Sequence, residues 1–305
     1  MRHDKPSSRK FFGDCAVAVA AVGVGAAVSC AGETDRAEAE APGTHHEPGE
    51  WWTEGRYVVH RTVDASRLND GLLRARIDGS WRDVSVVSLP DRFVRWSFEE
   101  RIARLAKLAA VGFDTRDLDG PHNACVATYG GWSRDSAFSL NTAYKGMGFT
   151  PTEEKLPGTL DELGEESERI RRASSGDFMA DMREKIKFLA GLYNDASRFD
   201  MTRQVSLELF TEPGYATHTF LNMMANPIVS ASFLAYPTFE IRAVPQLLHP
   251  ENPALTPHER DVVRYTNAIH DFVHGGTGDR MTCIYHICEV FDDTPNKGGA
   301  GTRLV

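Results

Sequence analysis

The sequence predicts an α+β protein, with a small β-rich N-terminal part followed by a mainly α-helical C-terminal half. Three observations lead there. Residues 72–77 and 81–89 are two strand-like runs flanking Asp78-Gly79, a pair that favours a two-residue hairpin turn. Helix-start signals recur at Ser97-Phe98-Glu99-Glu100, Thr159-Leu160-Asp161-Glu162 and Thr256-Pro257-His258-Glu259. Between them, apolar residues return at helical spacing, as in Phe178, Met182, Ile186, Leu189 and Tyr193.

Taken in order, Tyr57-Val58-Val59-His60 reads as a strand ahead of the hairpin. Phe98, Ile102, Leu105, Ala106 and Ala109 form a helix stripe that stops at Gly112. Residues 113–157 carry Gly, Asn, Asp, Ser and aromatics with little period, and read as an irregular binding loop. Its substrate-facing candidates are His122, Cys125, Trp132 and Arg134. His122 and Cys125 offer a base and a nucleophile, and Arg134 offers a cation for an anionic substrate or for Asp135. From Thr159 onward the chain reads as helical, with a short helix over 201–210 and another over 215–225. Pro227, Pro237, Pro245, Pro250 and Pro253 then break the chain into short pieces.

The chemistry concentrates in residues 270–289. Thr256 caps a helix, Pro257 fits its first position, and Glu259 closes the capping box. His270 and His274 stand four apart and share a face of it. Glycines 275, 276 and 278 end that helix. Residues 281–293 have a strand-like composition but a helical period, which predicts a second helix antiparallel to the first. Four side chains of this hairpin, His270, His274, His286 and Glu289, would then converge on one ion, with Asp271 orienting an imidazole from behind. Three imidazoles and a carboxylate suit zinc, iron or manganese. His218 is a further imidazole that a neighbouring helix brings toward the cluster. The stretch His270-Asp271-Phe272-Val273-His274 resembles the HExxH zinc-protease motif loosely, with Asp271 in place of its Glu, and a protease is not assigned.

Size and charge set the limits. The 305 residues fit one globular domain over 51–305 after a leader at 1–31 and an acidic flexible linker at 32–50. The net charge of −9 and the pI near 5.7 exclude generic binding to nucleic acid or anionic membranes. Cys125, Cys283 and Cys288 remain beyond the leader. An odd count is no disulfide framework, and it leaves either one bridge to Cys125 or buried free thiols.

The N-terminus reads as an export signal: Arg2, Lys5, Arg9 and Lys10 precede a weakly apolar run over 15–31. Ser8-Arg9-Lys10-Phe11-Phe12 resembles the twin-arginine export signal, with Lys10 in the second Arg position. That resemblance implies a protein exported already folded, often around a cofactor. A general secretory signal or an uncleaved anchor fits the same run. Ser29-Cys30-Ala31 supplies small residues for cleavage, and Val28-Ser29-Cys30 resembles a bacterial lipoprotein box with Ala27 where such boxes favour Leu.

The expected function is an exported metal- or cofactor-dependent enzyme, periplasmic or extracellular, with oxidoreductases among the candidates. It would act on a small-molecule substrate and meet a membrane only through an uncleaved or lipidated N-terminus. The alternative is a non-catalytic accessory subunit or binding protein exported with a larger enzyme. There the histidines are structural and the aromatic loop contacts a partner protein.

Overall fold

The computed structural model describes residues 48–112, 119–130 and 136–305. The leader, most of the acidic linker, and both Trp132 and Arg134 lie outside the described residues. Among the described residues no helix is long and apolar enough to cross a membrane.

Two short strands, β1 (Trp52–Thr53) and β2 (Tyr57–Val58), lead into a three-stranded sheet of β3 (Val63–Asp64), β4 (Leu72–Ile77) and β5 (Ser80–Ser85). The Asp78-Gly79 turn forms as the sequence predicts. Both residues have positive φ, 49° and 76°, the conformation that a two-residue hairpin of this twist requires. Leu73, Ala75 and Ile77 point inward from alternate positions of β4 and pack on Val244.

Helix α1 (Asp91–Val111) starts a turn and a half before the predicted signal, directly after Pro90. Ser97 therefore sits inside the helix, fully buried, and its Oγ accepts from Arg101 Nε instead of capping. Gly112, at φ 78°, ends the helix as expected.

The C-terminal half is not mainly helical. Helices α2 (Leu156–Ala173), α3 (Phe178–Tyr193), α4 (His218–Ala225) and α5 (Pro257–His274) surround a seven-stranded antiparallel sheet. That sheet joins β6 (Asn123–Tyr129), β7 (Leu140–Gly146), β8 (Arg203–Glu208), β9 (Val229–Ser232), β10 (Phe239–Leu248), β11 (Met281–Asp292) and β12 (Thr302–Arg303). The order is β12-β11-β10-β9-β6-β7, with β8 on the outer side of β11. Three expectations fall here. The supposed irregular region holds the β6–β7 hairpin, residues 201–210 hold a strand, and residues 281–293 are the longest strand of all. Strand β11 hides its period because both of its faces are buried from Met281 to Ile287, so it reads as one apolar run.

The two edges of the sheet meet at one end. Gly148 N donates to Val205 O at 2.8 Å, and Val205 N donates to Gly148 O at 2.9 Å. Lys145 Nζ reaches Glu208 Oε2 across the same seam at 2.9 Å. The sheet thus wraps around a core of Ala124, Val126, Ala231, Ile241, Ala243, Tyr285 and Ile287, plugged by Phe220, Met223 and Met224 of α4. On the opposite face, Val262, Val263 and Tyr265 of α5 cover Val205, Leu248 and Ile284.

Candidate functional site

Where the seam closes, α1, α3 and α5 leave a cleft of about 190 Å³ against the ends of β7 and β8. Its apolar walls include Leu105, Leu189, Val205, Ile269 and Val273. Its polar lining comprises Arg101, His122, Tyr193, Thr266, His270 and His274, along with Ser206 and the fully buried Tyr265. A mainly apolar concavity with a few converging polar groups is the usual form of a small-molecule site.

Helix α5 supplies the two histidines at positions its own sequence dictates. Thr256 Oγ1 accepts from Glu259 N at 3.2 Å and Glu259 Oε2 accepts from Thr256 N at 2.8 Å, completing the predicted capping box. Val262, Val263, Tyr265 and Phe272 are buried, which turns the neighbouring stripe of His270 and His274 to the cleft edge. The two rings lie 4.6 Å apart, tilted by 38°. Gly275 N closes on Asp271 O at 2.9 Å.

Asp271 contacts the neighbouring imidazole. His270 Nδ1 lies 3.1 Å from Asp271 Oδ1, and Arg280 Nη1 holds the same oxygen at 2.7 Å. Arg280 is itself pinned: its N donates to Asn267 Oδ1 and its O accepts from Asn267 Nδ2, both at 2.9 Å. Burial first, then the Arg280 charge, lower the His270 pKa against the raising effect of Asp271, so the ring is neutral near pH 7. A carboxylate only accepts, so the neutral ring carries its hydrogen on Nδ1 and keeps a lone pair on Nε2.

The opposite wall is built on Arg101, which is 1% exposed. Its Nε donates to Ser97 Oγ, its Nη1 to His122 Nδ1 at 3.2 Å and Tyr193 Oη at 3.5 Å, and its Nη2 to Pro121 O at 2.5 Å and Met147 O at 2.6 Å. The guanidinium also lies over the Phe149 and Tyr193 rings. All five N–H groups are used, yet no carboxylate among the described residues pairs with the charge. His122 accepts from Arg101 on Nδ1, so its hydrogen is on Nε2. Burial, then Arg101 and Arg104, hold its pKa well below the usual value.

The predicted four-ligand cluster is not assembled. Residues 281–293 form a strand rather than the second rod of a hairpin, and this separates the set. His286 is fully enclosed between β10 and α5, where its Nε2 donates to Gln246 Oε1 at 2.9 Å and Gln246 Nε2 donates to Glu259 Oε1 at 3.0 Å. Burial, reinforced by Arg203, takes its pKa down to about 3. Glu289 pairs with Arg242 at 3.4 Å and Arg303 at 3.1 Å. Among the described residues no group of three or more His, Cys, Asp or Glu is placed to hold an ion. His218 begins α4 and lines a separate hollow with Phe138 and Asn141. Cys125 sits within β6 opposite Tyr144, and His122 turns to Arg101 rather than to it. Cys125, Cys283 and Cys288 are all free thiols.

The sequence places Tyr193 and Tyr265 on apolar helix stripes and does not mark them, or Arg101, as site residues. Arg101 left a signal there: it sits three residues after Phe98 and four before Leu105, a cation on the apolar stripe of α1. No protein-family model matches the chain, and no curated protein or solved structure matches it.

Proposed function

We propose that the chain is an exported enzyme acting on a small molecule held in the cleft, with His270 as its proton-accepting group. One observation carries this reading. An imidazole lines a partly apolar cleft with one nitrogen fixed by a clamped carboxylate and the other left with its lone pair. This is the arrangement by which a general base is oriented. The His270 pKa, lowered by burial, keeps that lone pair free near neutrality.

The size of the cleft bears on its occupant. A cavity of about 150 Å³ holds a benzene ring, so about 190 Å³ has room for one ring or a short chain. A zinc, iron or manganese ion remains compatible through His270 Nε2 and His274 alone, with other positions left to substrate or water.

A second reading is favoured by a different observation. Phe138 is 78% exposed, Tyr236 75% and Leu140 67%, apolar side chains that a partner surface would cover. There the protein is an accessory or binding subunit, and the cleft holds its ligand without changing it.

A thermal-shift screen of small molecules, followed by mass spectrometry of each stabilising compound after incubation, separates the two. The enzyme reading expects at least one bound compound to be converted. It also expects His270→Ala to abolish conversion while leaving binding within about threefold. Bound compounds that are never converted support the binding-subunit reading. Elemental analysis of wild type beside His270→Ala/His274→Ala shows whether a stoichiometric metal belongs to the site.

A further inference from the structure

We infer that the ligand class of this cleft is a small carboxylic acid with a compact apolar body, about the size of a single-ring aromatic acid. The inference rests on the cleft being the functional site and adds the chemistry of its occupant. The buried guanidinium of Arg101 faces the cleft with no carboxylate among the described residues to balance it. Its donors are spent on Ser97, Pro121, Met147, Tyr193 and His122, so it acts as a fixed positive charge rather than as a fork. His122 turns that charge into a directional contact. Because its Nδ1 accepts from Arg101, its Nε2–H is the group left to donate into the cleft.

The electrostatics agree. Burial first, then the charges of Arg101 and Arg104, disfavour a charged His122. Two cations that oppose an imidazolium at His122 favour an anion there. Asp271, the acid beside His270, is already paired with Arg280. Leu105, Leu189, Val205, Ile269 and Val273 offer the rest of the surface to an apolar body. The volume suits a body of about the size of the benzene ring that a cavity of about 150 Å³ accommodates.

Isothermal titration with benzoate, benzamide and benzyl alcohol on the full chain tests this. Benzoate is expected to bind at least tenfold more tightly than benzyl alcohol. His122→Leu is expected to weaken benzoate at least tenfold and benzyl alcohol less than threefold. His122→Gln, which keeps an N–H donor and the fold, is expected to recover part of the loss. Equal binding of benzoate and benzyl alcohol would overturn the anion assignment while leaving the cleft as a binding site. Unchanged benzoate affinity in His122→Leu would overturn the role of His122. Failure of all three probes to bind or to displace a screened ligand would overturn the size class, while conversion of some other ligand would leave His270 its role.

Discussion

His286 and His270 carry the same side chain in two contrasting settings. On β11, His286 is enclosed on all sides, donates to Gln246, and belongs to a chain of contacts ending on Glu259 of the helix above. At the end of α5, His270 spends one nitrogen on Asp271 and presents the other beside a cleft. The first histidine ties a helix to a sheet; the second has a valence left over. A histidine's chemical availability is therefore read from the nitrogen it has not used, not from its nearness to other histidines in the chain.

The largest expected effect breaks the comparison on the side of stability. His286→Ala leaves Gln246 Oε1 without its donor and opens a void between β10, β11 and α5, at a cost of about 2–4 kcal/mol. His270→Ala, at the half-open cleft edge, is expected to cost about 1 kcal/mol or less. Urea unfolding of the two variants compares them directly. Equal losses would erase the distinction.

Acid sharpens the same contrast. Burial holds His286 down to about 3 and His60 down to about 4, below the unfolded value of 6.5. Both are neutral in the folded chain and take up protons when it unfolds. Their contribution is fully present above about pH 6.5 and is lost as pH falls toward 4. Within that window stability rises with pH by about 1.4 kcal/mol per unit for each such proton. His286→Gln is expected to reduce that slope by about one proton, measured as urea midpoints between pH 4 and 6.5.

A smaller effect tests the frame that carries His270. Thr256→Ala removes the capping oxygen that Glu259 N donates to and is expected to cost about 1 kcal/mol, with the cleft unchanged. Loss of ligand binding in that variant would show that the cleft depends on the far end of α5.

The same contrast explains which parts of the structure the chain discloses by itself. Helix α5, its capping box, its His270–His274 stripe and the contact of Asp271 with His270 all follow from short-range spacing, and all are present. The Asp78-Gly79 turn follows likewise, because two residues suffice to specify it. Strand β11 does not. Its Met281, Cys283, Tyr285 and Ile287 face the sheet interior while Thr282, Ile284 and His286 face α5, so both sets are buried and the two-residue alternation disappears. Strand β8 does alternate, as Gln204, Ser206 and Glu208 against Val205 and Leu207. There the polar set faces the enclosed side, where Glu208 meets Lys145 across the seam. That inversion depends on a partner 63 residues away, beyond any local pattern. The cleft has the same origin, because Arg101, His122 and His270 meet only where the sheet closes on itself.

The most direct test of the central claim is the ¹⁵N resonance of the His270 imidazole, followed from pH 5 to 8 in wild type and Asp271→Asn. The account predicts a neutral ring with its hydrogen on Nδ1, a midpoint below 6.5, a further fall in that midpoint when the Asp271 charge is removed, and a shift on ligand binding. A ring that titrates at 6.5 in both proteins and ignores every ligand of the cleft would contradict it.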